Sequence, residues 1–167
     1  MEITNSIIGL DAILLLGDPR LRQVCEPVVP AEIAALQPWF DRMHQLILLF
    51  RKTYGRGRAI AAPQVGLLKR VVCLYIDEPQ VLINPTFSQR SEEMFELWDD
   101  CMSFPNLMVR LKRHHSVQLH FLDQYGQSQT WNLEGDLSEL LQHELDHLDG
   151  ILALDYARNA DDLKWVV

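Results

Sequence analysis

The pattern with the clearest chemical meaning is HELDH at residues 143–147, a pair of histidines around a glutamate. If this segment is helical, His143 and His147 lie one turn apart on the same face, where both imidazoles can bind one cation. Glu144 lies beside them and can exchange a proton with water at that cation. The alternative is two unrelated histidines on a surface helix. The flanking leucines argue against it, because a buried imidazole pair needs a partner.

Two histidines leave such a site one protein ligand short, and the downstream chain does not supply a third at a familiar spacing. Ala153 stands where one class of zinc peptidase has a histidine, and no glutamate follows Glu144. The aspartates that follow the motif have the wrong spacing: Asp149, Asp155, Asp161 and Asp162. The third ligand is therefore expected upstream, where a cysteine thiolate is a strong candidate.

Of the three cysteines, Cys101 has the most suggestive setting, in the segment WDDCMSFP at residues 98–105. Cys73 lies in an apolar stretch and is interpreted as part of the core. Cys25 lies in a proline-rich segment and is interpreted as incidental. The odd count and the wide spacing argue against a disulfide framework and favour a reducing compartment.

Two helices are predicted to position these residues. The second begins near Asp136, which forms a capping-box pattern with Glu139 three residues later, and ends near Gly150. The first helix is predicted from about residue 31 to residue 52, with Pro38 kinking or restarting it. Its apolar residues recur at three- and four-residue spacing and are interpreted as core: Trp39, Met43, Leu46, Ile47 and Phe50.

The chain between the helices predicts short strands. Residues 54–66 form a loop rich in glycine and alanine. Strands are predicted at 71–76, 81–85, 94–98, 116–123 and 128–133, the last two as a hairpin with Val117, Leu119 and Phe121 on one face. This order predicts an α+β fold, with antiparallel sheets around a central metal-binding helix and an N-terminal helix. We expect a single domain over residues 1–167.

Charge and hydropathy limit the partners. The formal net charge of −8 argues against direct nucleic-acid binding. The basic cluster at residues 110–115 is interpreted as a solvated edge, because alternation along a strand would divide it between two faces. The first 20 residues lack a basic region and are interrupted by Asp11, so they make a poor signal peptide. The apolar run at 46–50 is too short to span a bilayer, and we expect a cytoplasmic protein without membrane contact.

These segments together resemble the peptide deformylase family over roughly residues 12–156. The resemblance rests on three motifs in order: GRAIAAPQ at 57–64, DDCMS at 99–103, and HELDH at 143–147 followed by LDG. The segment GDPRLR at 17–22 is similar to that family's opening segment. The resemblance implies an α+β fold and removal of the formyl group from the N-terminal formyl-methionine of new peptides. It also implies one divalent metal ion, natively Fe²⁺, with Zn²⁺ or Ni²⁺ able to occupy the site.

The resemblance also assigns catalytic roles. The residues that it assigns to the metal are Cys101, His143 and His147. Metal-bound hydroxide would attack the formyl carbon, with Glu144 as general acid and base. The Gln64 side-chain amide and the Met102 backbone N–H would stabilise the oxyanion. A loop glutamine that satisfies only local backbone groups is the alternative for Gln64.

Substrate contacts follow in the same way. The backbone at Ala59, with Gly57 nearby, would pair with an extended N-formylated peptide as an added strand. Asp99 would pair with Arg113, by analogy with a Glu–Arg pair in the family. Asp146 is interpreted either as a residue that supports a metal ligand or as one partner of a surface salt bridge.

The sequence also departs from the family pattern. Ala59 replaces a glycine, Asp99 replaces a glutamate, and Asp100 replaces a glycine beside the cysteine. Asp136 and Glu139 align with positions that are often apolar in the family's methionine pocket, and helix capping is the preferred explanation for both. The chain ends 20 residues after the last motif histidine, without the long basic helix that some members use on ribosomes, which argues against ribosome docking.

Two further functions stay open on the sequence. One is a metal-binding homologue with little or altered turnover, and the other is a small metallopeptidase.

Overall fold

The computed structural model describes residues 8–167, which contain two α-helices and eight β-strands. The helices are α1 (Gln37–Tyr54) and α2 (Gly135–Leu148). The strands are β1 (Ala59–Ala61), β2 (Val71–Tyr75), β3 (Pro79–Arg90), β4 (Met94–Asp100), β5 (Leu107–His114), β6 (Ser116–Leu122), β7 (Ser128–Glu134) and β8 (Leu163–Trp165). One sheet has the order β1-β2-β3-β6-β7 and the other β4-β5-β8, and every strand pair in them is antiparallel. The predicted α+β fold is confirmed.

The first predicted helix is two elements. A 3₁₀ helix at Pro30–Leu36 is followed by α1, and Pro38 lies in the first turn of α1. Proline is tolerated there because the first amides of a helix have no carbonyl partner within it. The predicted restart at Pro38 is therefore confirmed. Four members of the predicted stripe are buried, namely Met43, Leu46, Ile47 and Phe50, while Trp39 is half-buried.

Strand β2 is buried on both faces, which explains its continuous apolar sequence. Val71 and Cys73 face the core built with α1, whereas Val72 and Leu74 face the core built with α2. Cys73 is fully buried, as predicted for a core residue. The five-stranded sheet thus separates the two helices at this strand.

Helix α2 lies between the two sheets. It contacts β1, β2, β6 and β7 of the larger sheet and β5 of the smaller one. Residues 138–148 of α2 are buried except for Asp146, so even its polar side chains are enclosed by protein. This confirms the predicted central position of the helix. No helix within residues 8–167 combines the length and the hydropathy needed to cross a membrane.

The smaller sheet presents the cysteine segment to α2. Strands β4 and β5 form a hairpin whose connection contains Cys101. The basic cluster falls on β5, which is the central strand of this sheet because β4 and β8 pair with its two sides. Lys112 is exposed, but Arg113 is only 3% exposed, so the solvated-edge interpretation is wrong for that residue. Alternation along β5 turns the Arg113 side chain toward α2. There the carboxylates of Asp146 on α2 and Asp99 on β4 offset its charge.

The β6–β7 hairpin matches its prediction closely. Its strands pair from Ser116 with Glu134 to Leu122 with Ser128. The three residues predicted on one face of β6 are all buried: Val117, Leu119 and Phe121. The predicted loop at 54–66 instead contains β1 and a 3₁₀ helix at Ala62–Val65. A strand of three residues is too short to produce a readable alternation.

Gly150 gives a test of how the N-terminal segment packs on the end of α2. It has φ +73°, and an added Cβ would lie 2.6 Å from the Arg22 backbone oxygen. Gly126→Ala is the matched control, since Gly126 has φ +78° but its nearest atom is Ile33 Cδ1 at 3.6 Å. In urea unfolding we expect Gly126→Ala to lose about 1 kcal/mol from left-handed strain. Gly150→Ala should lose clearly more, because backbone must move, and equal losses would contradict the close contact.

Asp162 gives a pH-dependent test of the smaller sheet. Its buried carboxylate accepts hydrogen bonds from the Arg158 side chain and backbone and from Arg110. Hydrogen bonds from Arg158 hold the pKa of Asp162 below its ordinary value of 3.8. Because the folded pKa lies below the unfolded one, ionised Asp162 stabilises the fold above about pH 4, and this contribution is lost on further acidification. Asp162→Asn should therefore lower the urea midpoint near neutral pH, with the difference shrinking in acid.

Asp161→Asn is the control for Asp162→Asn, because Asp161 is exposed on the adjacent position. We expect its urea midpoint to match that of the original chain at every pH. A difference for Asp162→Asn that stayed constant down to strong acid would rule out the ionised carboxylate as its cause.

Candidate metal centre

The side chain of Cys101, from the connection between β4 and β5, meets two histidines of α2. Cys101 Sγ lies 3.3 Å from His147 Nε2, which lies 3.2 Å from His143 Nε2. All three residues are buried, and their donor atoms lie within 4.8 Å of one another. A tetrahedral cation with ordinary Zn–N and Zn–S distances would separate its donors by about 3.3–3.6 Å. The donor set and its spacing therefore fit one divalent cation.

Asp99 orients the first histidine. Its Oδ2 lies 3.0 Å from His143 Nδ1, so the other ring nitrogen, Nε2, faces Cys101 and His147. Arg113 Nη2 donates to the same Asp99 oxygen at 3.1 Å, which is the pair that the sequence predicts. A carboxylate on the distal nitrogen of a ligating histidine sets its tautomer and raises its basicity.

The Asp146 side chain contacts Arg113 and not the histidines themselves. Its Oδ2 accepts from Arg113 Nη1 at 2.5 Å and from the Tyr156 hydroxyl at 3.0 Å. The Arg113 side chain is 3% exposed, so this contact is not a surface salt bridge. Asp146 therefore acts on the centre through Arg113 and Asp99 rather than through direct contact with a predicted ligand.

The charged groups around the two histidines shift one another's pKa values. Burial alone would raise the pKa of Asp99, but His143 and Arg113 together hold it below its usual value. Burial opposes the charge on His143, yet the Asp99 carboxylate and the Cys101 sulfur raise the pKa of that imidazole well above its usual value. Burial and the neighbouring His143 lower the pKa of His147. The two imidazoles are therefore electrostatically distinct.

Gln64 is held so that its amide nitrogen faces the cysteine. Its Oε1 accepts from the Ala61 backbone N–H at 2.9 Å, which leaves Nε2 pointing away from that loop. Nε2 donates to Ser103 Oγ at 3.1 Å and to Cys101 Sγ at 3.5 Å. The side chain thus satisfies a local backbone group and also presents a donor at the centre, so both interpretations from the sequence describe part of its geometry.

Glu144 is buried beside the histidines. Its Oε2 has no hydrogen-bond partner among residues 8–167. Burial raises the pKa of Glu144 to about 7, because the apolar surroundings disfavour its charged form. A carboxyl group whose pKa lies near neutral pH can both accept and return a proton.

A pocket of about 350 Å³ opens onto the centre. The predicted catalytic and substrate-binding residues that line it are Gly57, Ala59, Gln64, Asp99, Met102 and Glu144. Cys101 and His143 line it as well, whereas His147 does not. Strand β1, which begins at Ala59 beside the pocket, is the edge strand of its sheet, so no described strand pairs with its outer side.

The capping-box interpretation of Asp136 and Glu139 is wrong. The Glu139 Oε1 accepts from Arg58 Nη2 at 2.6 Å, and both of these side chains line the pocket. Among the described residues, no side-chain hydrogen bond caps the start of α2, and Asp136 is exposed. The signal available in the sequence is spacing, because Glu139 precedes His143 by four residues and so shares its helix face.

Comparison with known proteins identifies the family. The sequence model described as polypeptide deformylase matches residues 10–162. The chain belongs to the polypeptide deformylase family. Peptide deformylase 2 of Xanthomonas campestris pv. campestris is 35% identical over 156 residues, covering 89% of this chain and 88% of the relative. The peptide deformylase of Orientia tsutsugamushi (strain Ikeda) is 31% identical over 157 residues, covering 85% and 83%.

Solved structures of deformylases share the fold. The Synechococcus elongatus enzyme in complex with actinonin has a TM-score of 0.82 at 30% identity, covering 90% of this chain and 80% of that one. The class I type b enzyme from Acinetobacter baumannii with Met-Ala-Ser bound has a TM-score of 0.78 at 27% identity, covering 86% and 96%. This chain is accordingly an enzyme, a metallohydrolase of the deformylase type.

The contact between Asp99 and His143 can be tested by metal affinity. Asp99→Asn should weaken binding of Zn²⁺ or Co²⁺ by about 10–100-fold, because the neutral amide no longer holds the imidazole as a carboxylate does. Competition against a chelator measures this directly. Asp100→Asn removes a neighbouring carboxylate that pairs with Arg56 instead. Equal losses in the two variants would show that general negative charge, rather than the contact with His143, determines the affinity.

Proposed function

We propose that this chain removes the N-formyl group from formyl-methionyl peptides, with Glu144 as general acid and base. The observation that carries the proposal is the position of Glu144. A buried carboxyl group with a pKa near 7 lies in a pocket next to a cysteine and two histidines whose spacing fits one cation. Hydrolysis of a formamide needs that combination of an activated water and a group that transfers protons.

Cys101, His143 and His147 would hold the metal. From the resemblance to deformylases we infer Fe²⁺ as the native ion, and Zn²⁺ or Ni²⁺ could replace it because a thiolate with two imidazoles suits all three. When bound, a divalent cation at this position supplies Lewis-acid activation of water and of a carbonyl. The three cysteines are buried and unpaired, which fits a reducing compartment, and we expect the enzyme to act in the cytoplasm as a single domain.

The edge of β1 would bind the peptide in extended form. Its backbone at Ala59 borders the pocket, and Gly57 precedes it with φ +125°, a conformation that favours glycine. An added Cβ at Gly57 would lie 3.0 Å from Met102 Cε, so a side chain there would narrow the pocket. The Acinetobacter enzyme with Met-Ala-Ser bound supports a peptide ligand of this kind.

The remaining residues would stabilise charge and transfer protons. Gln64 Nε2 faces Cys101, and the Met102 backbone N–H donates to no other described residue, so both can donate to a developing oxyanion. Glu144 takes a proton from the attacking water onto its carboxylate and returns it to the amine that leaves. The ion pair of Arg58 with Glu139 lies in the same pocket, and it is the observation that favours altered turnover as the second candidate function.

The reaction is tested by formate release from formyl-Met-Ala-Ser under reducing, anaerobic conditions, with metal content measured in the same samples. Glu144→Gln should lower kcat by about 10²–10⁴-fold, and Gln64→Ala should lower it by about 10²–10³-fold. Glu134→Gln changes an exposed acid and should leave the rate unchanged. If metal-loaded protein released no formate, the second candidate, a metal-binding homologue with altered turnover, would be favoured. Release of amino acids would indicate a peptidase.

A further inference from the structure

The wall of the pocket beside His143 contains an ion pair. Arg58 Nη2 and Glu139 Oε1 are 2.6 Å apart, with side chains 39% and 11% exposed. Both residues line the pocket that contains Cys101, His143 and Glu144. Glu139 is largely buried, whereas the Arg58 guanidinium is still accessible from the pocket.

The position of the pair places it next to the reacting group. Glu139 precedes His143 by one helical turn, which puts their Cβ atoms about 5–6 Å apart. Arg58 immediately precedes Ala59, where β1 begins. The pair therefore connects the two elements that border the bound peptide in the proposed function.

The first side chain of a formylated peptide must enter the pocket that Arg58 and Glu139 line. A single nitrogen separates its Cα from the formyl carbon. The two carbons are therefore closer together than the 3.8 Å between consecutive Cα atoms. A formyl group held at the centre thus directs the first side chain into the same pocket. No comparable constraint acts on later side chains, which extend along β1.

The free hydrogen-bonding groups of the pair determine which side chain is favoured. A guanidinium has five N–H groups, and among the described residues the Arg58 side chain donates one hydrogen bond, to Glu139. An apolar side chain would remove water from the remaining donors and return no acceptor, which costs free energy. A side chain with an acceptor oxygen would bind those donors instead.

The surrounding charges disfavour an acidic side chain relative to a neutral one. Burial raises the pKa of Glu139, and the negative charge of Asp99 raises it further. The carboxyl group of Glu144 lines the same pocket. Four acidic residues line this pocket against three arginines, so a further carboxylate would add to an excess of negative charge, whereas a carboxamide or a sulfoxide would not add charge.

We propose that Arg58 and Glu139 determine specificity for the first side chain, favouring formylated peptides in which that side chain carries a neutral hydrogen-bond acceptor over apolar isosteres. This inference rests on the proposed deformylase function. Glutamine and methionine sulfoxide have such an acceptor oxygen, norleucine has none, and methionine, with its weakly accepting thioether, lies between them.

The test compares kcat/KM for formyl-X-Ala-Ser peptides, with glutamine, methionine sulfoxide, methionine, norleucine or glutamate as X. The original chain should prefer glutamine to norleucine by about tenfold, since an unpaired polar wall discriminates against an apolar analogue. The double variant Arg58→Val with Glu139→Leu should reverse that order. Asp136→Leu, an exposed acid on the same helix that does not line this pocket, should keep the original preference.

A second pair of variants applies if the apolar double variant does not fold. Arg58→Lys keeps the charge but loses the planar donors, and should reduce the preference for glutamine over norleucine. Glu139→Gln keeps the shape and removes a negative charge, and should raise the relative rate with the glutamate peptide. A purely structural ion pair would lower the stability of these variants without changing the ratio between substrates.

The outcomes separate this inference from the function on which it rests. Formate release from none of the five peptides by metal-loaded protein would overturn the proposed function itself. Formate release with norleucine preferred to glutamine, and with the same ratio in Arg58→Lys, would overturn only the specificity assigned to Arg58 and Glu139.

Discussion

Asp99 lies where the smaller sheet meets helix α2, and its carboxylate holds a residue from each. It accepts from Arg113 of β5 and contacts His143 of α2, while its own strand leads directly into the segment that contains Cys101. The distance between the sulfur and the imidazoles therefore depends on this one buried carboxylate. Its charge is tolerated because a cation and an imidazole offset the cost of burial.

Burial of α2 limits which polar side chains the helix can carry. A helix enclosed between two sheets can retain polar side chains only where each finds a partner. Gln142 illustrates this, since its amide bonds both the N–H and the carbonyl of His114. Within α2, the exceptions are the Oε2 of Glu144 and the Nδ1 of His147. Both atoms belong to the motif, which is where unsatisfied polar groups indicate chemistry rather than scaffold.

The pocket combines a rigid interior with an adaptable rim. Gln64, Cys101 and His143 are enclosed by protein, so their donor atoms are held in place before any ligand binds. Arg58 and Arg56 at the rim are partly exposed and paired with acids of other segments. In the proposed function, this division would keep the reacting groups fixed while the rim contacts the first side chain of the peptide.

The sequence by itself determined the features that depend on local spacing. Two histidines four residues apart share one face of an α-helix, and an upstream cysteine was a strong candidate for the third ligand because the downstream chain offers none at a familiar spacing. Alternation along β6 and the proline at the start of α1 are equally local signals. The three motifs were specific enough to identify the family, and with it the antiparallel sheets around α2.

Tertiary structure alone decided the contacts between distant segments. Arg58 and Glu139 are 81 residues apart, and neither segment by itself predicts that Glu139 forms an ion pair with Arg58 instead of capping α2. Arg113 was assigned both to a solvated edge and, from the family resemblance, to a pair with Asp99, and the central position of β5 decided between the two. Strand β1 has only three residues, so its place at the sheet edge depends on pairing with β2. Such outcomes depend on which faces are enclosed, and local periodicity carries no information about a partner that is distant in the chain.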